Sequence, residues 1–473
     1  MTRRAFSLLL ATALPLAGCA VGPDYHPKSA TDLGVPDSYS VPANSAARED
    51  LTHWWSNFDD PLLGQLVEQG RANNLDIGQA VARLRQARES LAQSRASLLP
   101  TLSASGGYSR NVSVAGNNFT SSNDNFSIGA DASYQVDLFG GVRRGVEASG
   151  ADYESAGFSL AAVQISVESE IARNYVLARL AQVQLANAQE SLRIQSDNLQ
   201  IAQWRVQAGL VSSIDAEQAR AQRAQTAATI PSIEASYNGF VSRLGVLTGQ
   251  APGALKGQLE AVKPIPRGPA TVAAGIPAET LRQRPDVRGA ERNLAAASAR
   301  IGVATAQLYP ALSIGGNLGS GGTTVESLVD VVTGRLFANI AQTIFDGGRL
   351  RSQVRSSEAA ADGAFLAYKS TVLTALEDTE NAFVALKSAQ DRAVQFGIAQ
   401  EAANNQAILA RMQYRSGLTD FTTLNTAESQ LLSARNGLAQ AQSDQATALI
   451  QLYLALGGGW DSSITPEAPG NGK

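Results

Sequence analysis

The residues from Ser122 to Gly141, SNDNFSIGADASYQVDLFGG, constrain this chain more than any other stretch. Side chains along a strand alternate between its two faces. Phe126, Ile128, Ala130, Ala132, Tyr134, Val136 and Leu138 therefore share one face, and Ser127, Gly129, Asp131, Ser133, Gln135 and Asp137 share the other. A soluble sandwich strand alternates in the same way, but it needs neighbouring strands to cover the apolar row. Here both flanks are long, Ala-rich and helical in character. The arrangement that remains is a membrane-spanning barrel strand, apolar towards lipid and polar towards a water-filled lumen. Asp131, Gln135 and Asp137 are then the candidate lumen-facing residues.

Four strands are expected, at about 101–112, 124–138, 311–320 and 335–345. In the last, Leu336, Ala338, Ile340 and Ile344 alternate, but Gln342 interrupts their row. Lipid tolerates no open sheet edge, because unpaired backbone groups there find no water. Outer-membrane barrels begin at about eight strands, so several copies of the chain must share one barrel. Two copies leave little room inside; three make twelve strands and a wide pore.

The rest of the chain reads as two copies of one unit. Ile77, Leu84, Leu91 and Leu98 stand seven apart, with Ala80, Ala87 and Ser94 three beyond the first three, in a helix that stops at Pro100. Val287, Leu294, Ile301 and Leu308 repeat that spacing, with Ala290, Ala297 and Ala304, before Pro310. Phe139-Gly140-Gly141 is echoed by Phe345-Asp346-Gly347-Gly348, and Gly209-Leu210 by Gly417-Leu418. Each half runs helix, strand, loop, strand, very long helix, Gly turn, second helix. Leu185, Leu192, Leu199 and Val206 keep heptad spacing, as do Leu424, Leu431 and Leu438, which predicts supercoiled helices in close approach. Pro231 is expected to break one helix.

The expected boundaries are a signal peptide over 1–18, a lipidated extended arm over 19–57, the first repeat over 58–249, a linker or equatorial segment over 250–283, the second repeat over 284–456 and a disordered tail over 457–473. Asp59 or Asp60 is the expected N-cap before Pro61. Arg3 and Arg4 precede a short apolar run that leads into Leu16-Ala17-Gly18-Cys19, a secretory layout too short to span a membrane. Small residues before the chain's single cysteine make this stretch resemble a bacterial lipobox, which implies Cys19 as the acyl acceptor and acyl chains as the only covalent group. Ala20 follows rather than Asp, so inner-membrane retention is not signalled.

Composition removes other classes. Net charge is −4, from 38 basic and 42 acidic residues, which provides no field for nucleic acid. The two histidines, His26 and His53, lie near the N-terminus away from other ligand-type clusters, and no Gly-rich phosphate loop enters a helix. An enzyme or a metal site is therefore not expected.

Trp54-Trp55…Phe58-Asp59-Asp60-Pro61, Arg284-Pro285-Asp286-Val287…Ala290-Glu291, Leu308-Tyr309-Pro310, Phe345-Asp346-Gly347-Gly348-Arg349 and Tyr414-Arg415-Ser416-Gly417-Leu418 together resemble the TolC/OprM outer-membrane factors. With its lipobox and its Val21-Gly22-Pro23-Asp24-Tyr25 opening, the chain is most similar to the NodT-type lipoproteins of RND efflux systems. The resemblance implies a mainly α homotrimer: a twelve-stranded barrel in the outer membrane of a Gram-negative cell, continued by a long α-helical barrel in the periplasm. It also implies docking to a periplasmic adaptor and an inner-membrane RND transporter, which supplies the energy for passive conduction of small molecules. A type I protein-secretion conduit uses the same architecture, and a lipid-anchored coiled-coil structural protein accounts for the heptads alone. In the family, the helix–turn–helix tips after the two Gly turns form the closed periplasmic entrance, often with aspartates six and nine residues past the second glycine; here those positions are Thr423 and Thr426. Asp420, three past Gly417, and Asp215, six past Gly209, are the acidic tip candidates, with a bound cation or the neighbouring Arg411 and Arg415 to balance the Asp420 charge.

Overall fold

The computed structural model describes residues 20–42, 50–115 and 118–461. The main elements are α1 (Pro61–Asn73), α2 (Leu75–Ala96), β1 (Thr101–Ala115), β2 (Asn118–Val136), α3 (Gly141–Gln207), α4 (Ser213–Leu247), α5 (Pro285–Ala306), β3 (Ala311–Gly322), β4 (Val332–Ala341), α6 (Arg349–Arg415) and α7 (Phe421–Ala455). The strands form one antiparallel sheet in the order β1-β2-β3-β4, which leaves β1 and β4 at the edges. The contacts divide into two compact units. Of the described residues, one unit holds those up to Lys28 and those within Arg83–Ala156 and Gly289–Lys369; the other holds those within Ser29–Ala82 and Gly157–Arg288 and those from Ser370 to Asp461.

In the unit that carries the sheet, small residues let helices approach closely. Ala151, Ala295 and Ala296 form a buried cluster against Tyr25, and Ser94 Oγ meets Ser149 Oγ at 2.7 Å. The N-terminal arm is pinned here: Val21 N–H donates to the Phe139 carbonyl at 3.0 Å, and Arg144 donates to the carbonyls of Val21 and Gly22 and pairs with Asp24 at 2.6 Å. Gly140, at φ +76°, gives Ala20 room; a Cβ there would lie 2.6 Å from the Ala20 Cα. The strands themselves are rich in Gly, with Gly106, Gly107, Gly129, Gly315, Gly316, Gly319, Gly321, Gly322 and Gly334 among their residues.

In the second unit, Ala202, Ala219, Ala403, Ala407, Ala410 and Ala427 pack with Tyr414, Phe421, Leu424 and Leu431 in one core. Heptad positions carry it, because Leu424 and Leu431 are buried while each intervening Ala admits a neighbouring helix. Asp60 is the N-cap of α1, accepting from the N–H groups of Leu62 and Leu63, and its other oxygen accepts from Tyr175 Oη at 2.6 Å. Trp54 stacks on Tyr453 with centroids 5.3 Å apart, and Trp55 and Phe58 close the same aromatic cluster.

Four expectations are corrected, and one segment is given structure. The helix before Pro100 is two helices, because Asn74 Oδ1 accepts from the N–H groups of Asp76 and Ile77 and starts α2 afresh. Pro231 does not break α4, which runs unbroken from Ser213 to Leu247. The proline is exposed, and the hydroxyls of Thr229 and Ser232 bond the carbonyls of Thr226 and Thr229 in that turn. Strands β1 and β2 run through the Ser/Asn-rich stretch read as loop, with a register shift at Ser113/Val114. The segment from 250 to 283 packs against the helices: Leu255, Leu259, Ile265 and Ala274 are buried and Gln182 Nε2 donates to the Leu259 carbonyl. The expected tail begins with an ordered stretch: Gly457 to Trp460 are buried, and Trp460 Nε1 donates to the Gln283 carbonyl at 3.0 Å.

Candidate functional site

The register sorts the sheet into two faces. On one, Leu102, Ala104, Gly106 and Tyr108 of β1 lie opposite Ala132, Ala130, Ile128 and Phe126 of β2. The row continues through Leu312, Ile314, Gly316 and Leu318 of β3 to Ile340, Ala338, Leu336 and Gly334 of β4. This apolar face is open to its surroundings: Leu102 is 79% exposed, Leu318 60% and Leu336 91%. An apolar face of this extent left bare marks a contact with lipid or protein. From Phe126 to Val136 the strand advances ten residues, about 33 Å at 3.3 Å each. Tilted by about 40°, that spans roughly 25 Å, the height of an outer-membrane apolar band. At its upper end Tyr108 packs on Phe126 with centroids 4.9 Å apart, and its hydroxyl donates to Asp124, beside Arg110.

The opposite face is polar except at Phe337, whose ring lies against Gly315. The central row of that face places Ser103, Asp131, Asn317 and Arg335 side by side across all four strands, and Gln135 pairs with Ser313. Asp137 lies one residue beyond β2 and is not a strand residue. Its carboxylate instead accepts from the N–H groups of Val142 and Arg143, and Arg143 Nε approaches at 3.3 Å. It thus starts α3 where the helix dipole favours negative charge. Gln342, the interruption in the last apolar row, likewise falls outside β4, which ends at Ala341.

The helix tips turn at Gly209 and Gly417, both at positive φ. Asp420 is the N-cap of α7: its carboxylate accepts from the Thr423 N–H at 2.8 Å, and that bond holds it below the usual carboxylate range. Thr423 and Thr426 are exposed, and Thr426 Oγ1 donates to the Thr422 carbonyl. Asp215, half-buried in the first turn of α4, acts electrostatically on Tyr414. Arg411 does not serve Asp420; it forks onto Glu428 at 2.6 and 3.0 Å. Arg205 lies over the Tyr414 ring at 4.8 Å and donates to the Tyr414 carbonyl. Burial pushes the Tyr414 phenol above its ordinary value. Arg205, Tyr414 and Glu428 were not read as tip residues. Glu428 was findable, because it stands four past Leu424 on the buried face of the heptad, where a charge needs a partner. Cys19 lies outside the described residues; its neighbour Ala20 sits against Gly140.

No helix among the described residues is long and apolar enough to cross a membrane, and no cluster of His, Cys, Asp or Glu there has metal-site geometry. The sheet carries the bare apolar face, long helices follow its strands along the chain, and the fold is that of an outer-membrane channel. The chain belongs to the outer membrane efflux protein family, whose profile matches residues 66–250 and 276–458. It is 31% identical to nodulation protein T of Rhizobium leguminosarum bv. trifolii over 454 residues, which covers 95% of this chain and 96% of that protein. It is also 31% identical over 449 residues to the pyoverdine export outer membrane protein OpmQ of Pseudomonas aeruginosa, covering 91% and 92%. The solved outer-membrane channel OprN superposes with a TM-score of 0.84 at 33% identity, covering 93% of this chain and 100% of that one. The protein is an efflux channel of the outer membrane, not an enzyme.

Proposed function

We propose that three copies of this chain close one twelve-stranded barrel and continue it as an α-helical barrel, forming the exit duct of a tripartite RND-type pump. The observation that carries this reading is the sheet: its apolar face is in register across four strands, while β1 and β4 each keep one unpaired edge. In lipid both edges require partners, and β4 of one copy beside β1 of the next supplies them. The recurrence of helix, hairpin and paired long helices in 75–247 and 285–455 supports an internal duplication. The duct would dock to a periplasmic adaptor and conduct small molecules passively from an inner-membrane transporter. OpmQ is named for pyoverdine export, which favours small-molecule efflux over protein secretion. Cys19 would carry acyl chains, anchoring the arm beside the strand ends; no other cofactor is required.

The tip residues Asp420, Thr423, Thr426 and Asp215 would border the periplasmic entrance, and Asp131 and Gln135 the lumen. The domain boundaries follow the sequence reading, with the corrections above. The test is assembly and conductance together. The full-length protein, extracted in detergent, should have the mass of a trimer by light scattering and open pores in planar bilayers. A monomer without conductance would overturn the proposal.

A further inference from the structure

Glu168, on α3, is fully buried, and neither carboxyl oxygen has a hydrogen-bond partner. Such a group serves neither the sheet nor the helix tips. Its ionic neighbour is Arg71 of α1, whose Nε stands 3.5 Å from Oε1. That guanidinium is also drawn elsewhere: it lies over the Trp55 ring at 5.4 Å and faces Glu68 at 3.9 Å. Arg71 and Glu68 are the charged groups that act on Glu168; one favours its ionised form and the other opposes it.

What covers the carboxyl is the start of the C-terminal segment. Gly459 crosses it so closely, at φ +98°, that a Cβ there would collide with Oε2. The segment offers the carboxyl no relief through its glycine amides, since those of Gly457, Gly458 and Gly459 already donate to Leu454, Tyr453 and Leu51. Beyond it Trp460 packs edge-on against Phe158, and Arg288 lies over both rings at 5.6 and 4.6 Å. An ion in this position would be desolvated with no amide to bond it and with only a shared cation beside it, a costly way to bury a carboxylate.

We propose that Glu168 is a proton-operated catch for the C-terminal segment: neutral, it lets Gly457–Trp460 seat over α3; ionised, it drives them off. Burial pushes its pKa from the ordinary 4.5 up to about 8. The closed form therefore holds the proton more tightly than an open form in which the carboxyl meets water. Closure is fully favoured below the ordinary value and weakens as pH rises towards 8, by about tenfold per pH unit for one linked proton.

The test is hydrogen–deuterium exchange mass spectrometry on the full-length protein in detergent, with rates corrected for intrinsic amide chemistry. Peptides covering Gly457–Trp460 should exchange about a hundredfold faster at pH 7.5 than at pH 5.5 and level off above 8. Glu168→Gln should remove that slope while keeping the protection seen at pH 5.5. Arg71→Gln, which deletes the cation and keeps the carboxyl, should move the plateau to higher pH and provides the second test if Glu168→Gln fails to assemble. A flat profile in the native chain, an unchanged slope in Glu168→Gln, or an unmoved plateau in Arg71→Gln overturns the proposal.

Discussion

Two adjacent residues of β3 separate the faces of the sheet experimentally. Leu318 pairs with Ala130 on one side and Gly334 on the other, within the apolar face. Ala130 lies four residues from Phe126 and six from Val136, about 13 and 20 Å along the strand, so Leu318 is close to the middle of the band. An arginine near the midplane of a barrel's lipid face costs about 2–4 kcal/mol. Taking about 3 kcal/mol, Leu318→Arg lowers the ratio of membrane-folded to unfolded chain roughly a hundredfold. Asn317→Arg adds the same side chain on the polar face, between Asp131 and Arg335. Direct cross-strand charge pairs are worth about 0.2–1 kcal/mol of either sign, so attraction to Asp131 and repulsion from Arg335 nearly offset. Both variants would be refolded into lipid vesicles and compared by urea midpoint and by the heat-modifiable band on gels. Leu318→Arg should lose the band and Asn317→Arg should retain it. Equal behaviour of the two would refute the assignment of faces.

Cys19→Ala should abolish incorporation of labelled palmitate while leaving pores in bilayers; persistent labelling would remove Cys19 as the acyl acceptor. Asp420→Asn keeps a capping oxygen and removes the charge, so α7 should begin as before while reversal potentials shift towards lower cation selectivity; an unchanged potential would leave Asp420 as a cap alone. Because the cap holds Asp420 below the usual carboxylate range, its contribution is present above the ordinary pKa and lost as pH falls through the lowered one. Amide exchange at Thr423 should accordingly accelerate only in acid. Glu428→Ala removes both charge-assisted bonds from Arg411 and should cost about 1.5–3 kcal/mol, read as a lower denaturant midpoint; no change would mean that Arg411 finds another partner.

Much of the sheet was legible because period 2 is unambiguous where one face is apolar. The face of every residue from Phe126 to Val136 follows from it. Strand ends were not legible, since the same alternation can run past the last ladder bond. Asp137 looked like a lumen residue because Leu138 prolonged the pattern, yet its carboxylate caps a helix. Gln342 looked like a flaw because Ile344 did the same at the end of β4. Ser and Asn between Val112 and Phe126 read as loop, although the described residues there pair backbone to backbone in the β1–β2 ladder. At the tips, Asp420 was found but its bond to the Thr423 amide was not. A capping carboxylate and a solvated one are identical in sequence until the following turn is placed. Arg411 was matched to the wrong acid because Glu428 sits on a face otherwise read as apolar. Gly457-Gly458-Gly459 read as disorder, whereas there the missing side chains make room for Leu51, Trp54 and Glu168.

The glycines of the four strands bear on the chain's journey before it reaches lipid. Gly contributes no side chain to a cross-strand pair and weakens a strand in water, and the Ala and Ser that accompany it are poor strand formers beside Val, Ile and Tyr. A newly exported chain therefore gains little by zipping its sheet early, so the bare edges that template misassembly are seldom displayed in solution. In the proposed trimer, lipid and sister chains would supply what the side chains withhold, and the hairpins would harden only where they are to remain. Weak strands in this sense act as a safeguard of timing, delaying a sticky structure until its destination.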